Sequence, residues 1–223
     1  AEDESLHTLI PHGEDAVKRQ EHLALFDLVR YDEVTHTALN DGNWSNPATW
    51  QNGIVPSADA RVLIPVGVEV TVDGILSTEV FSIRIDGTLS FATNVNTELR
   101  ADTIIGSATS TLRMGTTTQP IAANVTARMV FTDNGAIDRT YDPFGISRGF
   151  ITHGKVEVNG AAKTSFLEAT GNITAGQSII QLASTPVGWN VGDSIIIAGT
   201  SSDANEDETR TILAINGNQV TVA

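Results

Sequence analysis

Residues able to carry acid–base chemistry are concentrated in one polar stretch, DNGAIDRTYDPFGISRG, and just after it. Cleavage of a glycosidic bond needs an acid–base pair, or a base beside a group that neutralises an anion. The catalytic candidates on this criterion are Asp138, Arg139, Asp142 and His153. We also expect this loop, with its two aromatic rings, to fold over a ligand groove. The alternative is a structural ion network, with the histidine at a turn before a glycine.

A second set of candidates consists of arginines spaced 16, 13 and 15 residues apart, each between two apolar neighbours: Arg84, Arg100, Arg113 and Arg128. Strand alternation predicts that all four point outward while their neighbours fill the core. Strands in register would place adjacent guanidinium groups about 4.8 Å apart. Such a ladder could bind the repeating carboxylates or sulfates of a polysaccharide. The alternative is an ordinary solvated face, neutralised by nearby acids and split over several faces by the unequal spacings.

An acidic loop offers several oxygen ligands within a few residues, among them Asp203, Asn205 and Asp207. Calcium takes six to eight oxygen ligands, so the loop is a candidate Ca²⁺ site. It begins like an EF-hand loop but lacks the glycine at the sixth position and the glutamate at the twelfth. A solvated loop is the alternative interpretation.

Composition narrows the range of functions. The chain has 223 residues, a formal net charge of −14 and no cysteine. The charge makes duplex nucleic acid a poor partner, and the lack of cysteine excludes disulfides and thiol chemistry and favours a bacterial source. No apolar run is long enough to cross a membrane. The start, AEDES, is compatible with a processed secretory protein, and we expect a secreted or cell-surface location.

The elements that must position these residues are almost all strands. Residues 14–31 carry the one helical pattern, and we expect that helix to cap an open end of the fold. From residue 60, short segments rich in Val, Ile and Thr recur between Gly, Asn or Asp corners. Such segments suit the coils of a parallel β-solenoid, and a Greek-key sandwich is the alternative.

The last block, 172–223, differs from the rest and predicts four strands of a small antiparallel β-barrel-like subdomain. Asn216-Gly217-Asn218 is a strong hairpin signal. We therefore divide the chain into a tail and capping helix (1–41), a solenoid module (42–171) and a β subdomain (172–223). We expect this subdomain to continue into further sequence.

Several motifs together resemble a known family. GNWSNPATWQNGIVPSADARVLIPVGVEVTVDG, IRIDGTLSF and TLRMGTTTQP, followed by ITHGKVEVNGAAKTSF and GWNVGDSIII, are similar to the extracellular eight-glycine (G-eight) domain. That domain occurs in fibrocystin-like and hyaluronan-depolymerising cell-surface proteins and in bacterial relatives. The resemblance covers about residues 42–223 and implies a right-handed parallel β-helix, an extracellular location and a carbohydrate ligand.

The family also changes the interpretation of NWSNPATW. Taken alone, Trp44 and Trp50 could form a sugar-stacking surface. At the start of a G-eight module we instead expect both rings to clamp the end of the solenoid. The function that we expect is binding or presentation of polysaccharide within a larger protein. A polysaccharide-cleaving hydrolase or lyase and a purely structural or adhesive module are the alternatives.

Overall fold

The computed structural model describes residues 16–133, 135–199 and 206–223. The chain divides into two compact units, Ala1–Gly160 and Ala161–Ala223. This division falls before residue 171, where the sequence interpretation ended the solenoid module. The helix of the described part, α1, spans Ala16–Asp27 and lies within the predicted range 14–31.

Eleven strands form the first unit. They are β1 (His36–Thr37), β2 (Gly42–Asn43), β3 (Arg61–Ile64), β4 (Glu69–Val72), β5 (Ile75–Ile85), β6 (Thr88–Phe91), β7 (Thr97–Gly106), β8 (Thr111–Met114), β9 (Ala127–Phe131), β10 (Phe150–Thr152) and β11 (Lys155–Val158). Each segment that the sequence marked as strand-like between residues 61 and 160 contains one of them, so this prediction is confirmed.

Two parallel sheets organise these strands. The first sheet has the order β1-β3-β5-β7-β10, with β9 also paired to β7, and the second has the order β11-β8-β6-β4-β2. From β3 to β6, successive strands alternate between the two sheets, and every named strand pair of this unit is parallel. The parallel pairing rules out a Greek-key sandwich, whose strands are antiparallel.

The core lies between the two sheets because alternate residues of each strand are apolar. In β3 and in β4 the burial pattern alternates, with Val62, Ile64, Val70 and Val72 buried. In the second sheet, Val70 pairs with Leu89. The register thus places apolar residues of neighbouring strands next to one another. Each layer of strands covers the apolar side chains of the preceding layer.

Helix α1 packs on the outer face of the first sheet, and the prediction that it caps an open end is wrong. Its side chains Leu25 and Phe26 form an apolar cluster with Ile105 of β7. Ile105 pairs with Ile151 of β10 in the same outward-facing column. Helix α1 covers Ile105 and so removes its apolar side chain from water.

Close backbone approach explains why some corners of this unit require glycine. A Cβ at Gly87 would collide with the backbone carbonyl oxygens of Pro65 and Val68. The corner between β5 and β6 can therefore lie against the turn between β3 and β4 only if residue 87 has no side chain.

The second unit is a curled antiparallel half-barrel. Its strands are β12 (Ile179–Gln181), β13 (Ser194–Ile197), β14 (Glu208–Asn216) and β15 (Gln219–Val222), in the order β12-β15-β14-β13. The predicted hairpin is confirmed, with Gly217 at φ 60° between β14 and β15. Asp193 closes the turn before β13 by accepting the amide of Asn190 at 2.9 Å.

Candidate functional site

Arg84 does not lie on an exposed face, contrary to the prediction. Its side chain is only 1% exposed, and its guanidinium carbon lies 3.6 Å from the centre of the Tyr31 ring. Its Nε is 3.1 Å from Asp86, whose carboxylate also accepts the Tyr31 hydroxyl at 2.7 Å. Alternation does point Arg84 away from the core, but α1 and the turn after it cover that face. The residue therefore joins the helix to the sheet.

Arg100 of β7 and Arg128 of β9 share one carboxylate. The Oε1 atom of Glu98 is 2.9 Å from Arg100, and its Oε2 is 3.7 Å from Arg128. Glu98 is directly opposite Arg128 in the parallel pairing of β7 with β9. Glu98 thus partly neutralises the positive charge of Arg100 and Arg128 without any ligand.

Arg113 lies on the second sheet, between two glutamates. Its guanidinium is 3.0 Å from Glu69 and 3.2 Å from Glu157, and Lys155 approaches Glu157 to 2.7 Å. The hydrogen bond that Arg113 donates to Glu157 and the negative charges of Glu69 and Glu157 raise the pKa of Arg113, although desolvation lowers it.

The four arginines therefore do not form a ladder. Arg84 pairs with Ile105, and Arg113 pairs with Ser90 and Glu157, so no arginine of the set lies opposite another in the register. The unequal spacings place them on four different strands, β5, β7, β8 and β9, of the two sheets. The predicted match to a row of anionic groups has no support in this geometry, and a role of each arginine alone in ligand binding stays a prediction.

A different feature is the best candidate site: a cleft of about 560 Å³ between α1 and the segment 140–144. We call it the α1 cleft. It is lined by Gln20, Leu23, Ala24, Asp27, Arg30, Glu33, Thr140, Tyr141, Asp142, Pro143 and Phe144. Phe144 and Leu23 are 40% and 45% exposed, so apolar surface is accessible beside charged and hydroxyl groups. The volume of the cleft lies within the range of small-ligand sites, about 300–1,000 Å³.

A cluster of aromatic and charged residues supports Tyr141, which lines the cleft. Arg61 of β3 forms an ion pair with Glu33 at 2.9 Å, and its guanidinium carbon is 4.2 Å from the centre of the Phe81 ring. The Phe81 and Tyr141 rings are 5.7 Å apart. The Tyr141 hydroxyl donates to the backbone oxygen of Leu28, the residue after α1. Burial raises the pKa of Tyr141, so the phenol stays protonated and keeps this contact.

The catalytic candidates in the loop make hydrogen bonds to neighbouring residues of the same loop. Asp142 is buried and accepts hydrogen bonds from the amides of Gly145, Ile146 and Ser147 and from the Ser147 hydroxyl, at 2.7–3.0 Å. Burial raises its pKa, but these hydrogen bonds outweigh burial and hold the pKa below the ordinary value. A carboxylate with four donors is a poor proton acceptor for a substrate.

Asp138 and Arg139 belong to the same turn. Asp138 accepts from the side chain and the amide of Thr140, which lower its pKa. Arg139 reaches the backbone oxygen of Pro143 at 3.5 Å. His153 is exposed in the turn between β10 and β11, where its amide donates to Gly106 at 3.2 Å. The structure thus groups three of the four candidates in one turn, where their contacts are hydrogen bonds, and no ion pair joins the described residues Asp138, Arg139 and Asp142.

The metal prediction falls largely on residues that the structure leaves undescribed. Asp203 and Asn205 lie outside the described residues. Asp207 is exposed, and its Oδ1 accepts the amide of Gly199 at 2.8 Å. Within the described ranges, no group of three or more His, Cys, Asp or Glu could hold a metal ion. The calcium site stays a prediction.

The two tryptophans are a clamp, as expected. Trp44 and Trp50 are 2% and 3% exposed, and their rings meet edge to face with centres 5.0 Å apart. Both belong to the main core cluster, next to the edge strand β2. The alternative of a sugar-stacking surface is wrong, because neither ring has a face in solvent.

Sequence reasoning missed the residues around Arg61 and on the helix side of the cleft. Tyr141 and Phe144 were expected beside a groove, and they do line one. Arg30 and Glu33, in contrast, follow a helix that was expected at the end of the fold. No signal in the sequence pairs residue 33 with residue 61, because that contact depends on where the helix packs.

One protein family and several known proteins are similar to this chain in sequence. The G8 domain family matches residues 49–169. A G8 domain-containing protein of Dictyostelium discoideum is 28% identical over 195 residues, which cover 80% of this chain and 13% of that protein. Communication mutant protein F and protein rliB of the same organism are each 26% identical, over 89% and 80% of this chain.

The chain spans less than a fifth of the length of these relatives, with 13%, 18% and 16% covered. No solved structure gives a significant match. Within the described residues, no helix has the length and apolar character needed to span a membrane. The family match covers more than half of the 223 residues, and the parallel sheets surround the glycine corners that the sequence marked. The chain belongs to the G8 domain family.

Proposed function

We propose that this chain is an extracellular glycan-binding module, and that its ligand occupies the α1 cleft. The observation that carries the proposal is the lining of this cleft, where Tyr141 and Phe144 lie beside Thr140 and Arg30. A sugar ring offers an apolar face and a rim of hydroxyl groups, so it needs an aromatic surface with hydrogen-bonding groups around it.

The charge of the cleft favours a neutral glycan over an acidic one. Three acidic residues line it, against one arginine, and that arginine is already paired with Asp32 at 2.7 Å. A chain with a net charge of −14 also repels a polyanion. Because the four arginines are dispersed, they do not form a ladder of positive charge that could offset this repulsion.

The wider architecture that we propose is a right-handed β-helix in which the two parallel sheets are successive faces. Parallel strands joined by crossovers are right-handed in nearly all known cases. The stacking of like residues, as in Val70 on Leu89, is what the coils of such a solenoid require. In this arrangement the module presents a bound glycan within a larger secreted or surface protein.

A glycan array probed with the 223-residue chain tests the proposal. We expect binding to one or more neutral oligosaccharides, unchanged by chelation of calcium. Phe144→Ala should weaken that binding about 2- to 12-fold, since an aromatic contact contributes about 0.5–1.5 kcal/mol. Val66→Ala is the matched control, because Val66 is also an exposed apolar residue (60%) and lies outside the cleft lining.

The outcomes separate the parts of the proposal. Binding that is insensitive to Phe144→Ala would place the ligand outside the α1 cleft. No binding to any glycan would overturn the proposal and leave a structural or adhesive role. Release of reducing ends or of an unsaturated product would instead support the polysaccharide-cleaving alternative, for which the described candidates offer no free acid–base pair.

A further inference from the structure

One carboxylate that lines the α1 cleft is not neutralised by a neighbouring side chain. Asp27 is the last residue of α1 and is exposed. In the described part of the chain, its carboxylate makes no ion pair and no hydrogen bond. Arg30, the one basic residue of the lining, donates instead to both carboxylate oxygens of Asp32, at 2.9 and 2.7 Å. Asp27 therefore presents its negative charge to the cleft.

The two other acids of the lining are already paired. Glu33 forms an ion pair with Arg61 at 2.9 Å. Asp142 accepts four hydrogen bonds from its own turn. Of the three acids that line the cleft, Asp27 is thus the one whose carboxylate oxygens are available to a ligand.

The position of Asp27 on its helix increases the negative potential at this point. The C-terminal end of an α-helix carries roughly half of a negative elementary charge, and a carboxylate there is unfavourable. Helix α1 has 12 residues and no basic residue in its last turn. A cationic group of a ligand beside Asp27 would relieve both the helix end and the carboxylate.

Aromatic rings lie in the same lining. Phe144 is 40% exposed, and Tyr141 is half-buried. The face of an aromatic ring attracts a cation, and this attraction adds to that of a nearby carboxylate. All eleven residues of the lining belong to the first unit, so the walls of the cleft are complete without residues 161–223.

We propose that the ligand of the α1 cleft is an amino-sugar oligosaccharide whose amino group is free and protonated. This inference rests on the proposed function and names the chemical class of that glycan. The ammonium group pairs with the carboxylate of Asp27 beside the ring of Phe144. A neutral analogue keeps the contacts of the sugar ring and binds more weakly. The net charge of −14, which repels a polyanion, attracts a cationic glycan.

The lining favours an amino sugar over a basic peptide. In an amino sugar the amine is attached directly to the ring. One small unit therefore carries a cation, an apolar face and hydroxyl groups, which match Asp27, Phe144 and Thr140. In a lysine the amine lies at the end of a flexible four-carbon chain and brings neither a ring nor hydroxyl groups.

Two oligosaccharides of equal length that differ only at the amino group test the proposal. They are a glucosamine oligomer and its fully N-acetylated, neutral counterpart, and titration calorimetry with the 223-residue chain measures both affinities. We expect the glucosamine oligomer to bind about 3- to 30-fold more tightly, from an exposed ion pair and a cation–π contact together. Added salt should reduce this preference and leave the affinity for the neutral oligomer unchanged.

Asp27→Asn should reduce the preference for the glucosamine oligomer about 1.4- to 5-fold, because it removes the ion pair and keeps the aromatic contact. Glu21→Gln is the matched control. Glu21 is an exposed acid of the same helix outside the cleft lining, so this variant should keep the full preference.

The outcomes separate this inference from the proposed function. Binding of neutral glycans on the array, with equal affinity for the two oligomers, would overturn the inference alone. So would a preference that Asp27→Asn leaves unchanged or that Glu21→Gln reduces equally. No binding to any glycan would overturn the inference together with the proposed function. An oligolysine peptide that binds as tightly as the glucosamine oligomer would identify a basic peptide as the ligand and overturn the assignment of an amino sugar.

Discussion

The indole Nε1 of Trp50 donates a hydrogen bond of 2.8 Å to the backbone oxygen of Trp44. The same two rings pack edge to face at the closed end of the core. A short polar stretch thus folds back on itself through two aromatic side chains. The tight turn between them begins at Asn46, whose side chain accepts the amide of Ala48 at 3.0 Å.

Trp50→Ala should remove about 3–5 kcal/mol from the free energy of unfolding, because it empties a large buried site. Denaturant unfolding followed by circular dichroism measures the change. Trp50→Phe is the control: it retains most of the packing and loses the indole hydrogen bond, at about 1 kcal/mol. A Trp50→Ala variant as stable as the parent would contradict the assignment of this residue as a clamp.

Two arginines from the same predicted set should behave differently. Arg84→Ala should destabilise the first unit by about 3–5 kcal/mol, since it leaves Asp86 as a buried carboxylate without its cation. Arg113→Ala should have a much smaller effect, because its ion pairs lie at the surface. Thermal unfolding of both variants provides the comparison, and equal shifts in Tm would argue against the burial of Arg84.

Asp142 should give the first unit an acid-sensitive contribution to stability. Its pKa is lowered in the folded state, so its stabilising effect is complete above the ordinary pKa of about 3.9 and is lost as the pH falls through the folded value. At pH 7, Asp142→Asn should cost about 2 kcal/mol, because the Ser147 donors lose a charged acceptor.

The stability difference between parent and Asp142→Asn should shrink when unfolding is measured at pH 3 rather than at pH 7. Asp27→Asn is a suitable control, since that carboxylate lies exposed at the last residue of α1. A difference that is the same at both pH values would show that the charge of Asp142 does not hold the turn.

Glycine should be replaceable at one corner and not at another. Gly87→Ala should destabilise by about 2 kcal/mol or more, since its Cβ would collide with two backbone carbonyls that have little freedom to move. Gly74→Ala should be nearly neutral, because no atom lies within 4 Å of the added carbon and the backbone is not left-handed there. Chemical unfolding of both variants tests whether close approach decides which corners need glycine.

The features of this fold that can be predicted from the sequence are those determined by residues close together in the chain. Alternation at Val62 and Ile64 predicts strands, and Asn216-Gly217-Asn218 predicts the turn that joins β14 to β15. These features depend on neighbours in sequence, so the sequence contains them directly.

The face of the sheet that α1 covers depends on contacts between distant residues. Arg84, in an alternating strand, has the pattern of an exposed residue, and it is buried because Phe26 of α1 and Tyr31, 58 and 53 positions earlier, lie over it. The helix side of the α1 cleft was missed for the same reason, because four of its eleven lining residues belong to a helix whose position no local signal specifies.

The helix that covers Arg84 lies before the region matched by the family, as do β1, β2 and Trp44. A gene fragment cut at residues 49 and 169 would encode a sheet with a bare charged column and a core that lacks one of its two sealing rings. A stable expressed unit therefore needs α1, β1 and β2 in addition to the residues that the family model matches.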